Sequence, residues 1–302
     1  MSQPITIFSG GTGLNIVQDP VRIPYQKNGL SDEQVAVNVT IDQSYRMNTR
    51  KGVQSLQSGA YHSLFCDGGD CFVVQGDSLY QVAADGSLKG IRSGLTEDAR
   101  MDFSQVGDTT YYMNGHELGW INGGTSYVWS KGIYTGPDTN RVFSGPMAGQ
   151  HLAELAGRMF IAQENIVWWS EPFNFGLFNK AESFAQFHTK AIMLKPVDNG
   201  MFVSTERHTY FLEGVNPKGW KAHKVAGYPA IEWTDAIDYV NSMDLGFDFA
   251  GLCPVWASRE GAIFGMPSGQ VLNLNKEKMI YPESAKTGFG GLIGFNYIHG
   301  VK

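Results

Sequence analysis

The sequence predicts an all-β chain folded as a β-propeller of five or six blades, with an extended N-terminal arm. Three observations lead there. One unit, three short apolar strands separated by tight turns, recurs five times. The composition suits such a chain: 37 of 302 residues are Gly, 13% are aromatic and only 17% are charged, where average usage is about 7% Gly and about 25% charged. Many short strands joined by tight turns need both Gly and aromatics. Finally, the middle strands start near residues 71, 110, 159, 201 and 262, so successive units lie 39, 49, 42 and 61 residues apart. A period of about 40–50 residues with several strands per unit is that of a propeller blade. Solenoid repeats of that length are mostly helical, and these segments lack a 3.6-residue period.

Residues 1–34 contain Pro4, Gly10, Gly11, Gly13, Pro20 and Pro24 and few periodic apolar positions, so they read as the extended arm. Residues 35–302 read as one propeller domain. A hairpin is expected within 35–56, with Val37–Ile41 as its first strand. The five units follow. Their strands are 61–65, 71–74 and 79–82; 103–106, 110–113 and 118–121; 152–156, 159–162 and 166–169; 193–197, 201–203 and 209–212; 255–257, 262–264 and 271–274. The middle strands are near-continuous apolar runs, which suits strands buried on both faces. Gly76-Asp77 fits a type II′ hairpin turn and Asn114-Gly115 a type I′ turn. Residues 292–298 read as a last strand, and pairing with an N-terminal strand in a composite blade would close the ring. Apolar residues at 233, 236, 237 and 240 predict a short helix over 230–240, and Thr96 is a candidate N-cap for another helical turn.

The formal net charge is −6, and no run of Lys or Arg exceeds two residues, which argues against nucleic-acid binding. The opening Met1-Ser2-Gln3-Pro4 has no secretory character. No apolar stretch approaches the ~20 residues of a membrane span. Cys66 and Cys71 flank Asp67-Gly68-Gly69-Asp70 and can face each other across a hairpin. A disulfide there would close only a small loop, and the reading is of two reduced thiols.

Catalytic motifs are missing. There is no G-x-S-x-G, no phosphate-binding loop and no dinucleotide fingerprint, and no two His stand close enough for a local metal motif. Catalytic, cofactor and metal residues are therefore expected to be none. Glu232, Asp235 and Asp238 would share a face of the expected helix, and carboxylates at a propeller mouth are one route to glycoside chemistry. A solvated acidic face explains them more simply. The run Trp168 to Phe178 is densely aromatic. Phe173, Phe175 and Phe178 lie beyond its strand in a Pro/Gly loop, where aromatics either serve a protein interface or pack beneath the loop.

Three stretches carry a family resemblance. They are Val37-Asn38-Val39 through Arg46 to Arg50-Lys51-Gly52; Leu155-Ala156-Gly157-Arg158-Met159-Phe160-Ile161-Ala162 with Ile166-Val167-Trp168-Trp169-Ser170-Glu171-Pro172; and Pro196 to Thr205 with Thr209-Tyr210-Phe211-Leu212-Glu213-Gly214. Over residues 35–215 the chain resembles bacteriophage tail-structure proteins built on a β-propeller, such as the tail-accessory and nozzle proteins of short-tailed phages. The resemblance implies a non-enzymatic virion component without cofactors, made in the host cytoplasm. It also implies a homo-oligomeric ring, threefold or sixfold, docked on other tail proteins of a nozzle, adaptor or tail-tip. In such an assembly the arm is suited to add a strand to a neighbouring subunit. The candidate interface residues are accordingly Ile5, Ile7 and Phe8 in the arm and Phe173, Phe175 and Phe178 in the loop. The alternative is a carbohydrate-active or receptor-binding propeller that uses carboxylates or Trp at its mouth.

Overall fold

The computed structural model describes residues 10–17, 30–33, 39–41, 46–49, 55, 57–138, 140–241, 250–275, 278–293 and 296–302. Ahead of the blades, β1 (Gly10–Leu14) pairs in parallel with β2 (Leu30–Glu33), and β3 (Val39–Ile41) pairs antiparallel with β4 (Met47–Thr49). The arm is thus partly strand. Ile16 N donates to Lys278 O at 2.8 Å, which ties residue 16 to the segment after the last blade.

Five antiparallel sheets of four strands form the propeller. Blade one is β5 (Tyr61–Asp67), β6 (Asp70–Gln75), β7 (Ser78–Val82) and β8 (Leu88–Arg92). Blade two is β9 (Asp102–Val106), β10 (Thr109–Met113), β11 (Leu118–Asn122) and β12 (Thr125–Val128). Blade three is β13 (His151–Leu155), β14 (Arg158–Gln163), β15 (Ile166–Trp169) and β16 (Phe184–Gln186). Blade four is β17 (Ala191–Val197), β18 (Gly200–Thr205), β19 (Thr209–Glu213) and β20 (Lys221–Ala226). Blade five is β21 (Ala236–Asn241), β22 (Ala250–Ser258), β23 (Gly261–Gly265) and β24 (Val271–Asn273). In blades two to four the first strands pack on one another, and in blade five β22 takes that inner place against β17.

The apolar middle strands behave as their sequence requires. Every residue of β18 and β23 is buried, as are Met159 to Ala162 of β14. One apolar layer lies between each consecutive pair of described blades. Phe72, Leu79, Phe103 and Tyr112 fill the first, and Met113, Leu152 and Ile161 the second. Phe160, Trp169, Leu194 and Met201 fill the third, and Phe202, Phe211, Trp256 and Ile263 the fourth. Each large side chain so placed contributes about 1.5–3 kcal/mol of burial.

Several expectations are corrected. No helix forms over 230–240. The segment enters β21, because Ile237, Tyr239 and Val240 have strand character and β22 offers a ladder from Ala236↔Val255 to Asn241↔Ala250. Thr96 begins only a turn. Residues 292–298 do not make one strand. They straddle the hairpin of β25 (Gly288–Ile293) and β26 (Asn296–Val301), and among the described residues the terminal strands share no sheet. Gly76 takes φ +57° in a two-residue turn, as type II′ needs. Asn114-Gly115 instead opens a four-residue loop, where Asn114 Oδ1 accepts from His116 N and Glu117 N at 3.0 and 2.7 Å. Cys66 and Cys71 are disulfide-bonded, not reduced, since they are cross-strand partners with Cα atoms 4.1 Å apart.

These two kinds of link differ in weight. Phe202→Ala is expected to cost about 3–5 kcal/mol in urea unfolding. Replacing Cys66 and Cys71 together by Ser is expected to cost at most about 2 kcal/mol, because the closed loop is so short.

Candidate functional site

Charged side chains on the apolar inner strands come together in one cluster. Asp102 opens β9, His151 opens β13, Lys190 precedes β17 and Lys195 lies within it. The connection from β20 to β21 brings Glu232 and Asp235 to them. Lys195 Nζ meets Asp235 Oδ2 at 2.7 Å. His151 Nδ1 lies 3.6 Å from Asp102 Oδ2, and its Nε2 lies 3.5 Å from Glu232 Oε1. Lys190 Nζ is 3.7 Å from the same Glu232 oxygen. Asp102 Oδ2 also accepts from Leu152 N at 2.9 Å, which joins blade two to blade three. Three carboxylates thus face three cations, and His151 is only 1% exposed.

The connection is held rigidly. Ile231 N donates to Ala257 O at 2.8 Å, and Ala257 N donates to Thr234 Oγ1 at 3.0 Å. Gly288 N donates to Glu232 O at 2.9 Å, and Tyr297 Oη donates to Thr234 O. β22 therefore holds one side and the C-terminal hairpin the other. Between these anchors Trp233 sits at φ +67°, a conformation costing about 1–3 kcal/mol, with its ring 4.6 Å from that of His151.

Electrostatics follow from this geometry. Burial disfavours a charged His151, but Asp102 and Glu232 outweigh it and raise its pKa to about 9. Burial also opposes the Lys195 charge, yet Asp235 and Asp102 hold that pKa above its usual value. For Asp102, burial pulls upward, but Lys195 and His151 prevail and lower its pKa. Glu232 is lowered against burial by His151 and Lys190. At neutral pH the imidazole is protonated and has no lone pair with which to act as a general base. The cluster works as a clasp.

Beside it lies a cavity of about 550 Å³ between blades four and five, lined by Lys190, Glu206, Glu232, Arg259, Glu283 and Lys286 among others. Of the three carboxylates grouped in the sequence, Glu232 and Asp235 join the clasp, whereas Asp238 is exposed on β21. Sequence reasoning missed His151, Asp102, Lys190 and Lys195.

A second feature gathers around the aromatic loop. Residues 130–138 and 140–145 lie against 171–178 through Gly132 N to Gly176 O at 3.0 Å and reciprocal bonds between Ser144 and Phe178 at 2.9 and 3.0 Å. Arg141 grips Glu171 with both terminal nitrogens, at 3.2 and 2.6 Å. Phe178 is wholly buried beneath, and Phe175 is half-buried edge-on to Tyr111. Phe173 is 85% exposed at φ +54°, and Ile133 and Val142 are each 81% exposed. Gly157, at φ +74°, leaves room for the Phe173 ring, which a Cβ there would meet at 2.5 Å. Ile5, Ile7 and Phe8 lie outside the described residues.

No family model and no curated protein sequence matches the chain. In fold it is similar to BBS1N, from the crystal structure of BBS1N in complex with ARL6DN, at 12% identity over 87% of this chain and 84% of that one, with a TM-score of 0.52. It is also similar to XC5397, a gluconolactonase from Xanthomonas campestris, at 10% identity over 78% and 80%, TM-score 0.48. A third is the WD40 domain of Neurospora crassa Pan2, at 13% identity over 81% and 72%, TM-score 0.45. Identities this low show a shared propeller fold and nothing of function.

Two predictions follow from the clasp. Asp235→Asn leaves Lys195 without its partner and is expected to cost about 3–5 kcal/mol, whereas Lys195→Met with Asp235→Leu costs clearly less, both read by urea unfolding. His151 has a folded pKa near 9 against about 6.5 unfolded. Its contribution is whole below pH 6.5 and is lost as pH rises to about 9. Asp102 and Glu232, lowered on folding, contribute at neutral pH and lose that contribution on acidification below about pH 4. Tm should thus fall between pH 6.5 and 9, and His151→Gln should flatten that slope.

Proposed function

We propose that the chain is a non-enzymatic structural component of a bacteriophage tail, a ring-forming nozzle, adaptor or tail-tip protein that assembles through protein contacts. The observation that carries this reading is Phe173. A bulky residue in the left-handed region costs about 1–3 kcal/mol, and here that strain presents an aromatic ring to solvent at 85% exposure. Folding gains little from it, and a docked partner gains an anchor. The bonded loops beneath make the platform rigid, so docking loses little side-chain and loop freedom. The self-neutralised clasp accords with a load-carrying disc, and the blade motifs resemble those of tail propellers.

A second reading, a carbohydrate-active or receptor-binding propeller, is favoured by the polar cavity with Glu206, Glu232 and Glu283. Release of reducing sugar from a polysaccharide panel, abolished by Glu206→Gln, would replace the first reading with this one.

The test is to locate the chain in purified particles by labelling and imaging, with copies counted. Phe173→Gly is expected to keep or raise Tm, because Gly accepts the positive φ, while lowering incorporation at least tenfold. Absence of the wild-type chain from particles overturns the proposal. Wild-type incorporation of the Gly variant removes Phe173 as its anchor.

A further inference from the structure

The outer strands of the five blades are not protected alike. β8 carries Lys89 and Arg92, and β20 carries Lys221, His223 and Lys224. β16 and β24 have only three residues each. Charge and shortness are the usual means of keeping an edge from pairing with another chain. β12, Thr125-Ser126-Tyr127-Val128, has neither protection: it is uncharged and four residues long. It ends its sheet, and among the described residues it pairs with β11 alone. Val128 is 77% exposed and Tyr127 is exposed beside it. Lys89 Nζ reaches Gly124 O at 3.4 Å, at the turn ahead of the strand, and β8 lies beside β12, with which it forms no ladder. Tyr127 stacks on its cross-strand partner Trp120 with ring centroids 4.3 Å apart, giving one face of the edge an aromatic shelf.

The chain contains a segment that matches this edge. Ile5-Thr6-Ile7-Phe8 is also four residues and uncharged, with strong β character. Pro4 has no N–H, so a ladder would start at Ile5. Period-two alternation puts Ile5 and Ile7 on one face, where the shelf of Trp120 and Tyr127 offers apolar contact. β1 starts at Gly10, and Ile16 is bonded to Lys278 after blade five, whereas β12 belongs to blade two. Five extended residues reach at most about 17 Å.

We propose that the free edge of β12 accepts Ile5–Phe8 of a neighbouring copy as a fifth strand, a head-to-tail contact that propagates from copy to copy. This deepens the assembly reading above and rests on it. An arm-to-edge contact is heterologous, and it closes into a ring when the rotation permits.

Two full-length variants test it. Ile7→Lys spoils the arm and leaves the edge, and Val128→Lys spoils the edge and leaves the arm. Val128 is exposed, so thermal melting should match the wild type. Analytical ultracentrifugation of the wild type should show concentration-dependent association, weakened at least tenfold in each variant alone. An equimolar mixture of the two should regain one junction and form dimers and nothing larger. A monomeric wild type, unweakened variants, or a mixture that stays monomeric each overturns the proposal. If Val128→Lys enters particles at wild-type copy number, the contact falls and the tail reading stands. If complementation works and the chain is absent from particles, the tail reading falls and the contact stands.

Discussion

The clasp is the constraint on which the rest of the molecule depends. Apolar layers hold blade to blade, but such contacts are non-directional and tolerate small rotations. Charges removed from water do not. Lys195, Asp235, His151 and Asp102 are each largely buried, and a network left half-made inside protein is worse than none. The connection between β20 and β21 must therefore bring Asp235 to hydrogen-bond distance of Lys195 and Glu232 near His151. Its anchors to Ala257, Gly288 and Tyr297 and the unusual φ of Trp233 are means of placing it. The C-terminal hairpin, which among the described residues joins none of the four-stranded sheets, gains its role here: it braces the stretch of chain that carries Glu232.

Most of the blade framework could be read from the sequence because it obeys one strong rule. Strands buried on both faces must be continuously apolar, and Met159-Phe160-Ile161-Ala162 or Met201-Phe202-Val203 admit few other readings. The outer strands obey a weaker rule. Lys221-Ala-His-Lys-Val-Ala226 has four exposed residues at its start, so neither composition nor alternation marks it as strand. β21 went astray for a different reason. Apolar residues at 233, 236, 237 and 240 fit helical spacing, but Trp233 is not in the strand at all, and the pairing edge that decides the matter comes from residues 250–255.

The clasp was hidden because its members are far apart in sequence. His151 lies about fifty residues from Asp102 and about eighty from Glu232, and no local spacing connects them. One signal was available: a charge inside an apolar run, as in Ile192-Met193-Leu194-Lys195-Pro196-Val197. A buried Lys requires a carboxylate, which foretells that a partner exists without saying which. Phe173, Phe175 and Phe178 show the same limit. Their spacing gives no hint that a left-handed residue at 173 turns one ring outward while Phe178 becomes core.

The low charge content can now be divided by place. Part of it reflects interior strands, which have no use for charge. Some of the charges that remain have definite tasks, at the clasp, on β8 and β20, and in the Arg141–Glu171 grip. The edge of β12 and the ring of Phe173 are exposed and uncharged. A monomer in water has reason to protect its outermost strand and to fold an aromatic ring inward, and blades one and four show that this chain has the means for the first. Strain at Phe173 and an unguarded edge at β12 are independent departures from that economy, one in backbone geometry and one in composition. β12 is the outermost strand of blade two, whereas Phe173 sits over Gly157 at the turn between β13 and β14 of blade three. In the assembly proposed above, both would be covered.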